Sequence, residues 1–399
     1  MYLTHLSLTN FRAFTRLDIE IPRRILLLVG DNAQGKTTIL ESIYYLATFN
    51  SFHAQTDRQL ISFLVDQSQL VVARLVADYI RGTSSQRLEV RLIQEPSGNG
   101  GFRLRKEILV DGVKRNHHEA LRHFTAVIFL PQMTRILEGG PEERRRYLNL
   151  VISQAVPGYS HALSEYAHAL TQRNALLKQL GERGGDPAQL EFWDELLARR
   201  GAFLILARIQ AIQEIEREAI QIFQGLTHSE EMLRLVYQPA FDPLPENEKQ
   251  YALPLQTPVE RGNFTMEQIQ QGFLQKLASI RSEEIARGVT TVGPHRDELR
   301  FLSNGIDLGD YGSRGQVRTT LLALKLAEVA WLKSQNDDWP VLLLDEMLAE
   351  LDTQRRADLL DYLGTCEQAL LTTTDLKLFK SEFINQSTVW KVQRGKIST

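Results

Sequence analysis

The sequence predicts an α/β protein in which a mixed sheet carries a phosphate-binding loop, with an antiparallel β lobe and an inserted α-helical lobe. Residues 26–46 read as an apolar strand, a glycine-rich loop and a helix with apolar periodicity. Residues 70–113 alternate polar and apolar side chains as strands do, whereas residues 141–226 repeat apolar side chains at helical spacing. The last quarter of the chain returns to strands alternating with helices, so the lobes interrupt one α/β domain.

The loop at residues 30–37, GDNAQGKT, fits the pattern G-x-x-x-x-G-K-[ST] at every constrained position. Its glycines let the backbone curl so that N–H groups converge on phosphate oxygens. Lys36 is expected to reach the β- and γ-phosphates of a nucleoside triphosphate, and the Thr37 hydroxyl to bind Mg²⁺. A chance glycine-rich loop is disfavoured by the flanking strand and helix. The predicted nucleotide-binding residues are Gly30, Asp31, Asn32, Ala33, Gln34, Gly35, Lys36, Thr37 and Thr38.

Composition narrows the class of protein. The 399 residues are 43% hydrophobic and 24% charged, as in ordinary globular proteins, and Cys366 is the single cysteine, which excludes an internal disulfide. We expect a cytoplasmic protein without a membrane span, because no apolar run approaches the ~18 residues that a span needs. Net charge is −3, but residues 1–150 contain 20 lysines and arginines against 15 aspartates and glutamates. An anionic partner is expected at that part of the chain.

The antiparallel lobe is predicted to have one basic face. In QRLEVRLI, Leu88, Val90 and Leu92 share a face, and the arginines take the other. GFRLRKEILVDGVKRN repeats this alternation, and its Asp111-Gly112 pair predicts a tight hairpin turn. The alternative is that these arginines only pair with Glu89 and Glu107. The candidates for contact with an anionic partner are Arg87, Arg91, Arg103 and Arg105, with Arg144 and Arg145 on the helix that follows.

That helix begins at Pro141, which suits a first helical turn, and starts the helical lobe. The pattern breaks at Gly158 and restarts at Asp186-Pro187, which predicts a hairpin of two long helices ending near Leu226. Another helix is expected from about 266 to 287. The predicted domains are residues 1–140 and 286–399, as two halves of one nucleotide-binding domain, and residues 141–285, as the inserted lobe.

The stretch VLLLDE supplies the second half of the predicted site. Val341–Leu344 read as a buried parallel strand, and Asp345 stands at its carboxyl end, where such sheets bind ligands. We expect Asp345 to hold Mg²⁺ and Glu346 to take a proton from an attacking water. Asp352 follows before the next helix, which it is able to cap.

The stretch YGSRGQVRTT predicts a second anion site. Ser313, Gly315 and Gln316 stand at the start of a long apolar helix, whose amino end attracts anions. Because one triphosphate does not need two such sites in one subunit, the second is expected to close on the nucleotide of another copy. An ordinary helix cap with a glycine-rich turn is the alternative.

These motifs together resemble the signature, Walker B and D-loop motifs of ABC-type ATPases. Their order, from LTNFRAF and GDNAQGKTTILESIYYL through GGPEERRRYLNLVISQ, GPHRDEL and YGSRGQVRT to LLLDEMLAELD and TTT, is similar to that of the RecF family. The resemblance covers essentially the whole chain. The sequence departs from the family pattern at Glu346, where the family usually has a second aspartate, at Arg314 within the signature and at Ala349, where serine is common.

The resemblance implies an ABC-type ATPase head that binds ATP and Mg²⁺, dimerises head-to-tail around ATP and hydrolyses it slowly, in a weak ATPase activity that DNA stimulates. It also implies binding to single-stranded or gapped DNA without sequence preference, and partners of the RecO and RecR type that assist RecA loading. It assigns Arg12 to approach the nucleotide, Gln132 to a loop that senses the γ-phosphate, and Asp352 to the D-loop. The Thr372–Thr374 run stands where transporters place a switch histidine, and His295 receives no chemical role.

Two other ABC-type machines are the alternatives. A transporter ATPase is disfavoured by the missing switch histidine and by the long separation of Lys36 from Ser313. An SMC-like chromosome ATPase is disfavoured because the helical hairpin is short and carries no C-x-x-C hook.

Overall fold

Tertiary contacts in the computed structural model divide the chain into two compact units. Unit 1 comprises Met1–Met133 and Glu328–Thr399, and unit 2 comprises Thr134–Ala327. These units are defined by contacts alone, and the division into three predicted domains stays a prediction. The structure describes residues 1–66, 69–97, 101–228, 231–244, 261 and 263–398.

The strands form where apolar residues alternate or run continuously. Strands with one buried face alternate buried and accessible side chains, and the strand that ends in Asp345 is buried throughout. The strands of the described residues are β1 (Tyr2–Phe11), β2 (Phe14–Glu20), β3 (Arg24–Val29), β4 (Val71–Arg81), β5 (Ser84–Pro96), β6 (Phe102–Val110), β7 (Val113–Arg115), β8 (Ala126–Phe129), β9 (Leu233–Gln238), β10 (Glu298–Ser303), β11 (Ile306–Asp307), β12 (Val341–Asp345), β13 (Gln368–Thr373), β14 (Thr388–Gln393) and β15 (Lys396–Ser398).

The helices begin where the sequence offers caps or proline. Pro141 occupies the first turn of its helix, and Thr265 and Gln268 form a capping box. The α-helices of the described residues are α1 (Lys36–Thr48), α2 (His117–Ala120), α3 (Arg135–Glu138), α4 (Pro141–Ser153), α5 (Tyr159–Arg183), α6 (Glu191–Leu226), α7 (Met266–Ser279), α8 (Arg281–Arg287), α9 (Leu308–Tyr311), α10 (Arg314–Asn336), α11 (Thr353–Thr365) and α12 (Ser381–Asn385).

The mixed sheet of unit 1 places the two halves of the predicted site on neighbouring strands. Its order is β15-β14-β3-β13-β12-β8. All neighbouring pairs are parallel except β14 with β15. The carboxyl ends of the parallel strands therefore meet at one edge. This edge brings Asp345, at the end of β12, close to the loop that leaves β3, with β13 between them.

The antiparallel sheet of unit 1 confirms the predicted β lobe. Its order is β2-β1-β4-β5-β6-β7. Asp111 and Gly112 both have positive φ, at 48° and 77°, as a tight type I′ hairpin turn requires. The buried faces of this sheet, α1 and the mixed sheet contribute to one hydrophobic core, in which Leu6, Ile43 and Leu343 are fully buried.

Unit 2 contains the predicted helical hairpin, α5 and α6, and a small antiparallel sheet in the order β11-β10-β9. The prediction of one helix from 266 to 287 is wrong, because the chain forms α7 and α8 with Ile280 between them at ψ 5°. That angle takes Ile280 out of helical geometry and interrupts the hydrogen-bond ladder. Among the described residues, no helix has both the length and the apolar character that crossing a membrane requires.

Candidate nucleotide-binding site

The loop between β3 and α1 has the backbone that its glycines predict. Gly35 adopts φ 105°, and Ala33 also lies in the left-handed region at φ 63°. Gly30 is needed for a different reason, because a Cβ there would lie 2.3 Å from the Val392 carbonyl oxygen. Helix α1 then begins at Lys36 without a side-chain cap and without an acidic residue in its first turn. Its first N–H groups are therefore left for an anion.

Lys36 is buried beneath this loop. Its side chain is 3% exposed, and Nζ donates to the carbonyl oxygens of Gly30 at 2.5 Å and Asp31 at 3.0 Å. Glu346 Oε1 lies 3.3 Å from the same Nζ. A buried ammonium needs such partners, because burial without them is costly. The two carbonyl oxygens and the Glu346 carboxylate hold the Lys36 charge next to the loop.

Thr37 and Asp345 meet although they are 308 positions apart in the chain. The Thr37 hydroxyl lies 2.9 Å from Oδ1 and 3.0 Å from Oδ2 of Asp345. The Thr372 hydroxyl also donates to Oδ1, at 2.7 Å. One hydroxyl and one carboxylate at the edge of the loop are hard oxygen donors of the kind that Mg²⁺ takes together with phosphate and water. These residues therefore fit the predicted magnesium ion.

Glu346 leaves the strand in an unusual conformation. Its φ is 51°, in the left-handed region that glutamate seldom adopts, and its backbone N–H donates to the Thr372 hydroxyl at 3.0 Å. The side chain is 38% exposed and turns toward Lys36. A carboxylate that is both accessible and close to the phosphate-binding lysine suits a group that accepts a proton from water.

The other predicted loop residues surround this centre. Asp31, Asn32 and Ala33 are exposed, and Thr38 is half-buried on the first turn of α1. Gln34 instead faces the turn between β14 and β15. Its side-chain oxygen accepts from the Arg394 N–H at 2.6 Å, and its carbonyl oxygen accepts from the Gly395 N–H at 3.1 Å. This support from the last hairpin was not predicted, because nothing in GDNAQGKT indicates a partner so far along the chain.

Arg12 lies against α1 rather than free at the loop. Its Nη2 and Nε donate to the two carboxylate oxygens of Glu41, at 2.7 and 3.0 Å, and Nη1 donates to the Gln59 carbonyl at 3.1 Å. Glu41 is 2% exposed and also accepts from the Ser51 hydroxyl at 2.5 Å. Arg12 is therefore held in an ion pair with a residue one turn beyond Thr37. Contact of Arg12 with a nucleotide stays a prediction.

Ser313 and Gln316 cap α10 in unit 2. The Ser313 hydroxyl accepts from the Gln316 backbone N–H at 3.2 Å, and the Gln316 side-chain oxygen accepts from the Ser313 N–H at 3.1 Å. This is a capping box, so the simpler alternative from the sequence describes the observed hydrogen bonds. Gly315 follows in the first turn, where a Cβ would meet only the Ser313 hydroxyl oxygen within 4 Å among the described residues. Closure on a second copy stays a prediction.

Asp352 and Gln132 both lie in segments that follow strands of the mixed sheet. Asp352 Oδ1 accepts from the Arg355 N–H at 2.9 Å and caps α11, and this hydrogen bond lowers the pKa of Asp352. Gln132 is exposed in the short 3₁₀ turn that follows β8, the strand next to β12. Both positions suit the predicted loops, and the roles in nucleotide sensing and closure stay predictions.

The arginines of the predicted basic face of the β lobe do share one face of the sheet. Acidic residues of the same strand and of the neighbouring strands lie between them, as the alternative of pairing with Glu89 and Glu107 expects. Arg87 donates to both oxygens of Asp78 at 2.6 and 2.8 Å, and this pair lowers the pKa of Asp78. Arg91 donates to the buried Glu89 at 2.5 Å. Burial opposes ionisation of Glu89, but hydrogen bonds from Arg74 and Arg91 bring its pKa below the usual value.

The arginines of β6 on this face, Arg103 and Arg105, are less tightly paired with acidic residues. Arg105 is 52% exposed and lies 3.9 Å from Glu95 and 3.7 Å from Glu107, both long contacts. Arg103 is exposed, and no ion pair joins it to another residue in the described ranges. Of the six candidate arginines, these two have the charges that neighbouring acids neutralise least.

The two candidates on α4, Arg144 and Arg145, are held by hydrogen bonds within unit 2. Arg144 donates to both carboxylate oxygens of Glu298, at 2.6 and 2.8 Å, and also to the carbonyls of Leu137 and Gly139. Arg145 donates to the Asp297 carbonyl at 2.8 Å. These partners lie on β10 and just before it, far along the chain. Contact of Arg144 and Arg145 with an anionic partner stays a prediction.

His295 has a structural role, as expected of a residue just before a strand, but the sequence did not indicate its partners. Nδ1 lies 2.8 Å from the Tyr166 hydroxyl, and Nε2 lies 3.2 Å from the Thr290 carbonyl oxygen. The carbonyl only accepts, so Nε2 carries the proton and Nδ1 accepts from the tyrosine. Burial lowers the pKa of His295 to about 4, which keeps the imidazole neutral.

The fold and the site define the class of this protein as an ABC-type ATPase head. The family model for the RecF/RecN/SMC N-terminal domain matches residues 2–398. DNA replication and repair protein RecF of Roseiflexus castenholzii (strain DSM 13941 / HLO8) is 36% identical over 409 residues, which cover 100% of this chain and 99% of the relative. RecF of Lacticaseibacillus paracasei is also 36% identical, over 400 residues and 100% of both chains. The chain belongs to the RecF family.

A solved structure supports the same assignment. The chain superposes on the recombination mediator protein RecF-ATP in the RecFOR pathway with a TM-score of 0.82 and 28% identity. The match covers 100% of this chain and 97% of that one. A second structure of the same mediator, RecF-ATPrS, matches equally well.

Proposed function

We propose that this chain binds ATP with Mg²⁺ at the loop before α1. The observation that carries the proposal is the convergence of Lys36, Thr37 and Asp345 beside the uncapped amino end of α1. The similarity to RecF solved with ATP supports it. Lys36 and the N–H groups of the loop would bind the phosphates, and Thr37 and Asp345 would hold the metal. The ion, when bound, neutralises charge that develops on the phosphate oxygens.

Glu346 is the proposed base for slow hydrolysis. Its accessible carboxylate would accept a proton from the water that attacks the γ-phosphate, and its backbone is held by Thr372. The ion pair with Lys36 would keep that carboxylate turned toward the phosphates.

ATP would also join two copies of the chain. Ser313, Gly315 and Gln316 stand at the amino end of a 23-residue helix, which favours an anion through its dipole. In a head-to-tail dimer, this end of one copy would meet the γ-phosphate bound by the other copy. The D-loop residue Asp352 and the sensing-loop residue Gln132 would lie at the same dimer interface.

We assign this ATP-gated dimer to recombinational repair in the cytoplasm, where it would bind gapped DNA and act with RecO and RecR to load RecA. Membership of the RecF family and the similarity to a mediator of the RecFOR pathway support this role. Arg103 and Arg105 are the proposed phosphate contacts, because their charges are the least neutralised of the six candidates. Phosphate contacts of this kind are indifferent to sequence and weaken with salt.

The test is DNA affinity with and without ATP. Binding of a gapped duplex should be weak without nucleotide and should strengthen with ATP, because two copies then present their basic residues to one duplex. Arg103→Glu with Arg105→Glu should weaken ATP-dependent binding by about tenfold or more and flatten its salt dependence, while ATP affinity stays at the parent value.

The matched comparison makes the same charge change on the helical arms, with Arg183→Glu and Arg199→Glu, two exposed residues of α5 and α6. A loss of DNA affinity in this second pair alone would assign the DNA contacts to the helical arms instead. DNA affinity that does not respond to ATP would overturn the gating.

A further inference from the structure

One hydroxyl group connects the two acidic residues of the site. Thr372 lies on β13 directly opposite Asp345 of the neighbouring parallel strand. Its hydroxyl donates to Asp345 Oδ1 at 2.7 Å and accepts from the Glu346 backbone N–H at 3.0 Å. The side chain is 4% exposed. Thr372 therefore uses its donor on one acid and its acceptor on the next.

These two hydrogen bonds control different aspects of the site. At Asp345, the Thr372 and Thr37 hydroxyls both hydrogen-bond to the same carboxylate, which restricts its rotation. At Glu346, the bond holds a backbone at φ 51°, a conformation that a non-glycine residue keeps only when its surroundings impose it. The direction in which the Glu346 side chain leaves the strand depends on that φ.

The hydroxyl is not explained by the strand. Residues Leu370 and Leu371 before it are apolar and buried, and valine would fill the same volume as Thr372. The next residue makes a useful contrast. The Thr373 hydroxyl donates to the Asp375 carbonyl at 3.0 Å and accepts from the Asp375 N–H at 3.1 Å, so it stabilises only the turn after β13.

We infer that Thr372 is a positioning residue that aligns Asp345 for the metal and Glu346 for the attacking water. The inference rests on the proposed function of these two acids. It adds a third residue, acting through the two acids, that sets metal affinity and hydrolysis together. Partners that orient metal ligands in this way change metal affinity or activity by roughly 10- to 100-fold when removed.

The test compares Thr372→Val with Thr372→Ser and uses Thr373→Val as the matched control. Binding of a fluorescent ATP analogue is titrated with Mg²⁺ and repeated in EDTA. For Thr372→Val we expect the Mg²⁺ concentration at half-saturation to rise about tenfold or more, and hydrolysis at saturating Mg²⁺ to fall by a similar factor. Affinity in EDTA should stay at the parent value. Thr372→Ser should restore both, and Thr373→Val should match the parent in both.

The outcomes separate this inference from the proposed function. A Thr372→Val protein with parental Mg²⁺ dependence would overturn the inference. If Asp345→Asn strongly weakened the Mg²⁺ dependence in the same experiment, the proposed metal site would still stand. If Asp345→Asn also left the Mg²⁺ dependence unchanged, the proposed metal site itself would be wrong. If Thr372→Val does not fold by circular dichroism, Thr372→Ala and Thr373→Ala make the same comparison. Equal behaviour of those two would count against the inference.

Discussion

Glu346 is the residue at which ATP binding and ATP hydrolysis should separate. Glu346→Gln keeps the shape of the side chain and its place beside Lys36 but removes the base. We expect ATP affinity to stay within a few-fold of the parent and turnover to fall about 10²-fold or more. Equilibrium binding and a steady-state phosphate assay measure the two quantities. The control is Glu382→Gln, the same charge change at an exposed position of α12. Turnover retained in Glu346→Gln would place the base at another group.

His295 predicts a pH dependence of stability. Burial lowers the pKa of His295 to about 4 from the ordinary 6.5. Because the unfolded chain binds the proton more readily, the stabilisation is complete above pH 6.5 and is lost as the pH falls toward 4. Its full size is about 3 kcal/mol by the usual conversion of pKa shifts.

The measurement is the urea unfolding midpoint of parent and His295→Gln at pH 7.5, 6 and 5. The parent should lose more stability than the variant over this interval. His117 in unit 1 also has its pKa lowered by burial, to about 4, so part of the slope should persist in the variant. Identical slopes in the two proteins would show that His295 contributes none of it.

Residues that belong to a recognisable motif were predictable, and residues whose partners no motif indicates were not. Lys36 and Thr37 belong to one contiguous motif whose spacing dictates the chemistry. Arg144 is the opposite case, because its partner Glu298 is 154 positions away and no local pattern links them. The ion pair of Arg12 with Glu41 joins the turn between β1 and β2 to α1, so it depends on packing that alternation and periodicity do not specify.

Among the elements, the hairpin of β14 and β15 supports the phosphate-binding loop. The β14 carbonyl of Val392 lies where a Cβ on Gly30 would be, and the turn residues Arg394 and Gly395 donate N–H groups to Gln34. The loop is therefore held from outside as well as by its own glycines. This arrangement preorganises the loop N–H groups, so phosphate binding costs little further conformational entropy.

The close approach at Gly30 gives a prediction for this element. Gly30→Ala would place a methyl group 2.3 Å from the Val392 oxygen, so either the loop or β14 must move. We expect ATP affinity to fall about tenfold or more, since misplaced N–H groups lose charge-assisted hydrogen bonds. Gly364→Ala is the control, because Gly364 is in a helix and a Cβ there would meet no described atom within 4 Å apart from its chain neighbours and the backbone of its own helix. Parental ATP affinity in Gly30→Ala would mean that the loop does not need this approach.

The antiparallel sheet shows what alternation predicts and what it leaves open. The pattern of β5 and β6 placed Leu88, Val90 and the arginines on the correct faces. It did not show that β4 brings Asp78 beside Arg87, because the register between strands depends on pairing across the sheet. A face that looks basic along one strand is therefore partly neutralised by its neighbour.

At the scale of the whole molecule, the chain divides its predicted nucleotide chemistry between two units. The loop residues, Asp345 and Glu346 lie in unit 1, and Ser313 and Gln316 lie in unit 2. The first set is assembled from both ends of the sequence, since the lobes intervene. The order of the motifs predicted that the members of the first set meet, because a P-loop near one end of the chain and a metal-binding strand near the other lie in one sheet. The predicted head also included Ser313 and Gln316, so their place in unit 2 was not predicted.

Dimerisation is the prediction that belongs to this scale. Ser313→Arg places a bulky cation at the amino end of α10, where it removes the cap and blocks close approach of a second copy. We expect a parent that is monomeric without nucleotide and dimeric with ATP, and a variant that stays monomeric with nearly unchanged ATP affinity. Sedimentation velocity with and without ATP makes the measurement. Ser381→Arg, at the start of α12 in unit 1, is the control. A parent that is dimeric in the absence of ATP would contradict the proposal.

The most direct test of the nucleotide site is the affinity of Lys36→Ala for a fluorescent ATP analogue in Mg²⁺. The variant lacks the buried ammonium that the loop carbonyls hold in place, so phosphate loses a charge-assisted contact. We predict an affinity roughly 10- to 100-fold below the parent, and parental affinity in the exposed control Lys377→Ala. Parental affinity in Lys36→Ala, with its fold intact by circular dichroism, would contradict the assignment of ATP to this loop.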